Sequence, residues 1–488
     1  MIGTSTVEYL FIRVCILFLH NIAPISILYS VHFLLLQFFH LPTNLGRIPY
    51  PIQIWLTAEA VFLIAVSIPL KMSLSNSPIC HRSLSAEHRD SLFKSCNANV
   101  PNLETYLSRW LMVSGPECIK RDDVKDFIRW SLFGPGYSQE QDQQNEGEIE
   151  VYTREIEKLI GGKLSPGRMD VKGLGQLLNE AGGSHRSLLW YTVNVIQWIS
   201  LPFHFTLAIL YRLSISTSHT THGLPITGAA SHILASTTYI QEMTARPIHP
   251  WQLETGATEN SEIGIIALEI MPVSSRITHT ALEKEVMICE IMEIIRRHGW
   301  SKFVLVSHSY GSIIAAHLLK SDRFAPFIGP TVFIDPVTFL LHLPDVAFNF
   351  IARQPAQANE YQLWYFGSKD IGVAHTLARR FSWIDNILWK EDLCIKADDN
   401  QEGRNVTVVL SGKDLIVDTE TVGRYLMGCS SEVKAAEKEA TRVWKNKPWI
   451  GGGLELLWFE QLDHAQIFDS EITRQPVIRV ISAYSNTG

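Results

Sequence analysis

Three residues in the second half of the chain have the types and spacing for nucleophilic acyl transfer. Ser309 lies in the string SHSYG, Asp414 in SGKD and His464 in LDHA. A serine hydroxyl attacks an acyl carbonyl when a histidine takes its proton and a carboxylate orients and stabilises that histidine. The three side chains can therefore form an acyl-enzyme site if the elements that carry them meet in space.

The segment around Ser309 predicts a strand, a tight turn and a helix. The apolar run FVLV precedes SHSYG, and the proline-free run SIIAAHLL follows it. Small residues at Ser307 and Gly311 suit a nucleophile elbow, in which a larger side chain would collide with the crossing backbone. Such an elbow lifts the serine above the carboxyl end of a parallel sheet and directs the N–H of Tyr310 to the same point. The first flank is Ser rather than the usual Gly.

The acid and the histidine each follow a predicted strand. Residues 406–410 and 454–459 read as short buried strands, and Asp414 and His464 come directly after them. The order Ser309, Asp414, His464 is the order of the α/β-hydrolase fold and differs from the orders of two protease folds that use the same groups. We therefore expect all three at one edge of a parallel sheet.

Alternatives exist for each role. Asp335, after a predicted strand at 331–334, and Asp418 are alternative acids, and Asp414 could instead cap a helix that begins near Ile416. Ser309 could be an ordinary turn serine and His464 a surface histidine. His308, beside the nucleophile, is expected to point away from it and to pack.

The expected oxyanion hole uses two backbone N–H groups, those of Tyr310 and Leu224. His222-Gly223-Leu224 is the candidate oxyanion loop, because a His-Gly pair ends the third strand of this fold. The residues before it, SISTSHTT, are almost all polar and make a poor buried strand. This loop is therefore the weakest part of the predicted site.

Composition excludes several classes of function. The chain has 488 residues, a formal charge of -7 and a pI near 6.2, so it offers no basic surface for nucleic acid. The seven cysteines are scattered and never form a C-x-x-C pair, which argues against a disulfide framework and a zinc site and favours a reducing compartment. We expect no metal and no cofactor.

Residues 1–85 contain two apolar runs. Residues 14–39 carry no charge and residues 51–70 carry only Glu59, so each approaches the roughly 20 residues that cross a bilayer. A transmembrane hairpin is predicted, with a signal segment or a buried hairpin docked on the hydrolase as alternatives. Lys71, Arg82 and other basic residues after the second run place the hydrolase domain in the cytoplasm, although Arg47 in the hairpin loop opposes this orientation.

Residues 86–200 are predicted to be a helical extension. Apolar positions recur at spacings of three and four between residues 86 and 133, which predicts helices packed on another surface. The acidic string at 138–148 is predicted to be a solvated linker, and a helix is expected from Ile149. The apolar run at 188–211 is predicted to be a core helix, with an interfacial segment as the alternative.

With these motifs in order, residues 201–488 resemble the α/β-hydrolase superfamily, above all its lipases and esterases. Stretches such as EIMPVSSRIT, VSHSYGS, RRFSWIDNILWKEDL and LDHAQIF are also similar to a group of fungal α/β-hydrolases with an apolar N-terminal extension. The resemblance implies a mostly parallel sheet with helices on both faces and a helical lid after the sixth strand. The aromatic-rich residues 337–404 would form that lid.

The resemblance implies a membrane-associated serine ester hydrolase that acts on lipophilic esters. An acyltransferase or a thioesterase would use the same triad, because the acyl-enzyme is shared and only the acceptor differs. A non-catalytic binding module on a hydrolase scaffold is the third alternative, because the run before His222 and the loop after it depart from the family pattern.

Overall fold

The computed structural model describes residues 3–40, 48–75, 84–134, 139–169, 172–180, 182–193, 240–248, 263–278, 280–395, 403–428 and 443–485. The strands in these ranges are β1 (Ile240–Ile248), β2 (Ile263–Ile270), β3 (Phe303–His308), β4 (Ile328–Ile334), β5 (Val406–Ser411) and β6 (Leu454–Phe459).

The helices before β3 are α1 (Thr6–Phe38), α2 (Tyr50–Ser75), α3 (Ala86–Ala98), α4 (Leu103–Trp110), α5 (Arg121–Ile128), α6 (Gln139–Ile160), α7 (Leu174–Asn179) and α8 (Lys284–Arg297). Those after β3 are α9 (Gly311–Leu319), α10 (Asp345–Ala347), α11 (Ala358–Gln362), α12 (Ile371–Arg379), α13 (Trp383–Asn386), α14 (Thr419–Met427) and α15 (Glu471–Ser485). Residues 188–193 are also helical.

The central sheet is parallel. Within the described residues it contains four strands in the order β3-β4-β5-β6, and β1 and β2 form a separate antiparallel pair. The sequences of β4 and β5, IGPTVFI and VTVVLS, are nearly continuous apolar runs with β-branched residues, as expected for strands covered on both faces. Parallel strands also require long crossovers, and helices α8 and α9 flank β3 in the chain.

The two faces of the sheet pack against different helices. Phe333 of β4 and Val408 of β5 share a core with α8 and α9. The neighbouring residues Ile334 and Val409 instead pack with Val480 of α15. Because side chains alternate across a strand, helices cover both faces of the sheet. The predicted α/β-hydrolase fold is confirmed by this architecture, and the predicted lid region carries α10 to α13 between β4 and β5.

The helical extension has its own core, and its acidic segment differs from the prediction. Gln139 already begins α6, so the predicted linker at 138–148 is helical from that residue onward. Glu148 accepts two hydrogen bonds from Arg89, and Glu150 pairs with Arg121 at 2.6 Å. Within this helix, Glu148 and Glu150 are therefore paired with basic side chains of α3 and α5.

The N-terminal runs form two apolar helices that contact each other. The Tyr29 hydroxyl of α1 donates to Gln53 Oε1 of α2 at 3.2 Å. α1 begins earlier than the predicted run because Ser5 and Glu8 form a capping box. Both helices are long and apolar enough to cross a membrane, with mean hydropathies of 1.9 and 1.7.

Candidate active site

Ser309 lies on a strained turn between β3 and α9. Its φ is +50°, a conformation that non-glycine residues seldom adopt outside functional turns. The Ser309 N–H donates to the Ile334 carbonyl at 3.1 Å, and the buried Ser312 hydroxyl donates to the Ser309 carbonyl at 2.6 Å. These bonds hold the turn between the ends of two neighbouring strands, so the serine is at the carboxyl edge of the sheet.

The small flanks of the elbow face each other. A Cβ atom added at Gly311 would lie 3.8 Å from the Ser307 Cβ, which is an ordinary van der Waals contact. A Cβ at Gly311 would therefore meet the Ser307 side chain in ordinary contact.

His464 bridges the serine and the acid. Its Nε2 lies 2.8 Å from Ser309 Oγ, and its Nδ1 lies 2.8 Å from Asp414 Oδ2. The imidazole is almost fully buried in the loop after β6, and the next residue, Ala465, has a φ of +66°. The structure therefore brings together three residues that are far apart in the sequence, with one ring nitrogen facing each partner.

The two candidate acids have different positions. Asp414 faces the imidazole through Oδ2, while its Oδ1 accepts from the N–H groups of Ile416 and Val417 at 2.7 and 2.9 Å. Asp335 lies beside the ring and accepts instead from the Ala465 N–H at 2.8 Å. The alternative acid Asp418 caps α14 through the Thr421 N–H. Asp414 is thus the carboxylate in position to fix the imidazole tautomer.

The surroundings of His464 keep the imidazole basic. Burial alone would lower the pKa of His464, but the charge and hydrogen bond of Asp414, with smaller effects of Asp335 and Asp463, outweigh burial and raise that pKa above its ordinary value of 6.5. Because Nε2 of this basic imidazole lies 2.8 Å from Ser309 Oγ, it is suited to accept the proton of the Ser309 hydroxyl.

Two more titratable groups surround the imidazole. Burial, followed by the charge of Asp414, raises the pKa of Asp335 to about 6. Burial and the neighbouring His464 lower the pKa of His308 to about 4, so this ring stays neutral. The His308 ring centroid lies 5.5 Å from that of His464 and 5.0 Å from that of Phe468, which agrees with the predicted packing role.

Asp463 is a site residue that sequence reasoning missed. Its carboxylate accepts from the His464 N–H at 2.7 Å, the Leu415 N–H at 2.9 Å and the Asn359 amide at 2.9 Å. It therefore ties the histidine loop to the acid turn and to α11 of the lid. The sequence does show an acidic residue next to His464. The partners of Asp463, however, lie in segments that are remote in sequence.

Only part of the predicted oxyanion hole can be described. Tyr310 follows Ser309 directly and is the N-cap of α9, so its N–H belongs to the helix N-terminus beside the serine. Leu224 and the whole His222-Gly223-Leu224 loop lie outside the described residues.

An apolar cavity of about 300 Å³ opens onto Ser309 and Tyr310. The helical extension supplies one wall through Trp110, Trp130 and Leu132. The lid supplies another through residues that include Phe350 and Phe381. None of the described residues that line the cavity is Asp, Glu, Lys, Arg or His. The cavity is therefore suited to a neutral, apolar group.

Two of these walls are held together by specific bonds. The Trp110 indole N–H donates to the His342 carbonyl, and the Trp383 indole N–H donates to the Ser131 carbonyl, each at 3.0 Å. Arg109 and Asp345 form an ion pair at 2.6 Å. The helical extension thus packs directly on the lid and completes the cavity.

One cluster among the described residues has the donor atoms for a cation. Donor atoms of Asp335, Asp414 and His464 lie within 4.8 Å of one another. The imidazole and both carboxylates in this cluster already exchange the hydrogen bonds given above, with Ser309, with each other and with backbone N–H groups. This donor set fits a proton-transfer network better than a metal centre.

Comparison with known proteins finds similarity to solved structures alone. No family model matches the sequence, and no curated protein is similar to it. Among solved structures, a meta-cleavage product hydrolase from Pseudomonas fluorescens is 13% identical, with 46% of this chain and 80% of that chain covered and a TM-score of 0.31. A carboxylesterase from Bacillus subtilis is 10% identical, with coverages of 47% and 76% and a TM-score of 0.29.

A serine hydrolase from Cycloclasticus zankles is 12% identical, with coverages of 46% and 79% and a TM-score of 0.28. Such low scores carry no information about substrate. None of the three is a fungal protein, so the resemblance to fungal hydrolases has no support from them. The chain itself has the α/β-hydrolase fold, as its parallel strand order and the elbow at the end of β3 define.

Proposed function

We propose that the protein is a serine ester hydrolase that acts on lipophilic esters. The observation that supports this most strongly is the pair of 2.8 Å contacts of His464, one with Ser309 Oγ and one with Asp414 Oδ2. Both contacts occur where an apolar cavity meets the serine.

In the proposed reaction, Ser309 attacks the ester carbonyl while Nε2 of His464 takes the hydroxyl proton. Asp414 holds the imidazole with its proton on Nδ1 and stabilises the imidazolium that forms. The same proton then passes from Nε2 to the leaving alcohol, and the acyl group remains on Ser309. Water, activated by the same imidazole, releases the acid and restores the hydroxyl.

Charge develops on the carbonyl oxygen during both steps. The N–H of Tyr310 would stabilise it as part of the helix N-terminus beside Ser309. Leu224 is proposed as the second donor on the family pattern alone. Loss of one such donor lowers the rate about a hundred- to thousand-fold.

The acyl group is proposed to occupy the apolar cavity. Its lining is rich in Trp, Phe, Leu and Val, and burial of each methylene there would stabilise the complex by about 0.8 kcal/mol. A charged acyl group would lose its hydration without gaining a partner, because no charged side chain is among the described lining residues. Esters with long alkyl chains should therefore bind better than acetates.

Membrane association is part of the proposal. It rests on the two apolar helices α1 and α2, which are 22% and 17% buried over their most hydropathic windows. A bilayer would cover the apolar side chains that these helices leave exposed, and lipid esters would be concentrated there. The proposed cytoplasmic position of the hydrolase domain rests on the basic residues after the second apolar run, beginning at Lys71.

Fluorophosphonate labelling of the purified full chain tests the catalytic assignment. We expect Ser309 to be labelled, S309A to lose labelling and ester hydrolysis, and the exposed control S301A to retain both. A chain that folds but neither reacts nor hydrolyses acetyl, octanoyl or palmitoyl esters would be a binding module. Faster acyl release to an added alcohol than to water would instead identify an acyltransferase.

A further inference from the structure

The apolar helices α1 and α2 each have two apolar sides. Ile12 and Ile22 of α1 are buried, while Phe11 and Leu17 on the same helix are exposed. In α2, Ala60 is buried while Val61 and Ile64 are exposed. A helix that is apolar all round needs an apolar neighbour on every side. For these helices the hydrolase covers one side, and the other side remains uncovered.

The first part of α1 is bound to the hydrolase. The Arg13 guanidinium donates to the Tyr361 hydroxyl of the lid helix α11 and lies 4.5 Å from the centroid of that ring. Further along α1, the His20 ring centroid lies 5.5 Å from that of His185. Ser26 is the last residue of this helix that is fully buried.

The second part of α2 is bound in the same way. Glu59, the one charged residue of the second apolar run, is completely buried and accepts from the N–H groups of Leu188 and Leu189 at 2.8 Å each. These are orphan donors at the start of the helical segment 188–193, so the carboxylate caps that helix. Phe62 then packs on Tyr191 with centroids 5.6 Å apart.

The parts of α1 and α2 that extend beyond these contacts are too short to cross a bilayer. Residues 27–38 of α1 and 50–58 of α2 extend beyond these contacts and span about 18 Å and about 14 Å at a rise of about 1.5 Å per residue. The hydrocarbon core is about 30 Å thick. A full crossing would need the parts of both helices that are fastened to the lid helix α11 and to the segment 188–193.

We propose that α1 and α2 form a one-leaflet anchor, an apolar hairpin that enters the leaflet facing the hydrolase and does not cross the bilayer. Their uncovered sides and their free ends contact lipid, while the opposite sides pack on the lid. The inference rests on the proposed membrane association and is independent of the catalytic assignment.

Cysteine accessibility in microsomes that carry the full chain tests this anchor. The seven native cysteines are replaced by serine, and single cysteines are introduced at Phe38 or Tyr50, which are 77% and 74% exposed at the free ends of the hairpin. E471C on the exposed start of α15 is the matched control for the hydrolase side. A membrane-impermeant maleimide is added to intact microsomes, to digitonin-opened microsomes and to detergent-solubilised protein.

We expect the chain to stay with the membrane at alkaline pH and digitonin to add no labelling at F38C or Y50C. Labelling of these positions only after opening would show that they reach the opposite compartment and would overturn the proposal. Release of the chain at alkaline pH as a dimer would also overturn the proposal. In that case a second copy of the chain, and not lipid, would cover the exposed sides of α1 and α2. Hydrolysis of a soluble short-chain ester, measured in parallel, reports separately on the catalytic proposal.

Discussion

His464 couples the candidate nucleophile to the acid because its two ring nitrogens face different partners at the same distance of 2.8 Å. Asp414 accepts a hydrogen bond from Nδ1, whereas Asp335 accepts from the backbone N–H of the residue after His464, Ala465. The two carboxylates thus act on the imidazole in different ways, one by orientation and charge and the other by charge alone.

Neutralising the two acids should separate these effects. D414N keeps the side-chain volume but places an amide N–H where Nδ1 of His464 needs an acceptor for its proton. The imidazole then takes the wrong tautomer, so kcat should fall by about 10⁴-fold. D335N keeps an oxygen for the Ala465 N–H, and Asn tolerates the φ of +42° found there, so kcat should fall less than about tenfold. Steady-state kinetics of both variants, with thermal unfolding as the control for folding, makes the comparison. A larger loss in D335N would reverse the assignment.

The pH profile of kcat/KM should have an acid limb set by His464. The base is active only when neutral, and its surroundings raise its pKa above 6.5, so activity should be complete at higher pH and be lost as pH falls through that raised pKa. Removing the Asp335 charge should move this limb to lower pH, because the carboxylate stabilises the imidazolium. A limb below 6.5 in the unaltered enzyme would contradict the geometry.

At the scale of single residues, motif and chain order predicted Ser309, Asp414 and His464, which the structure brings together. They favoured Asp414 as the acid and kept Asp335 as the alternative, because both follow predicted strands. Asp463 could not be predicted, since its role depends on Asn359 and Leu415, which approach it only in the folded chain. Local sequence identifies residues that chemistry requires, but it does not identify those that position them.

At the scale of elements, the sheet was the most predictable part. The apolar runs at 331–334, 406–410 and 454–459 agree with β4, β5 and β6 because buried parallel strands are largely apolar segments. The acidic segment before Ile149 was not predictable as helix. Its described carboxylates, Glu146 and Glu148, pair with Lys125 and Arg89 of neighbouring helices, and composition alone cannot show such pairing.

The extension and the lid together shape the cavity, so substitutions in its wall should change the acyl preference without changing the triad. A347F introduces a ring from α10 into the cavity that opens onto Ser309. Hydrolysis of a palmitoyl ester should fall at least about tenfold, while hydrolysis of an acetyl ester should stay within about twofold. The exposed A98F on α3, which is outside the cavity lining, is the matched control. Equal losses on both esters would mean that the acyl chain lies elsewhere.

At the scale of the whole molecule, the three regions named from the sequence are not independent bodies. The core of the extension includes Leu107 and Ile128 and packs against Trp383 and Trp389 of the lid region. The hairpin is attached at Tyr361 and at the capped segment 188–193. Sequence composition separated these regions because it measures polarity along the chain, whereas the contacts between them are made by side chains far apart in sequence.

Two truncations should therefore have different consequences. A chain that starts at residue 84 loses the hairpin but keeps the extension, the lid and the sheet, so in detergent it should still react with a fluorophosphonate. It should unfold at a lower temperature, because Leu188 and Leu189 lose the carboxylate that accepts from their N–H groups.

A chain that starts at residue 135 also loses Trp110, Trp130 and Leu132 from the cavity wall and the ion pair of Arg109 with Asp345. Removal of this packed layer exposes the apolar side of the lid, so the shorter chain should aggregate or fail to label. Labelling, thermal unfolding and light scattering of both chains distinguish these outcomes. Full labelling of the shorter chain would show that the extension is dispensable for the site, since the serine, the acid and the histidine would then stay aligned without it.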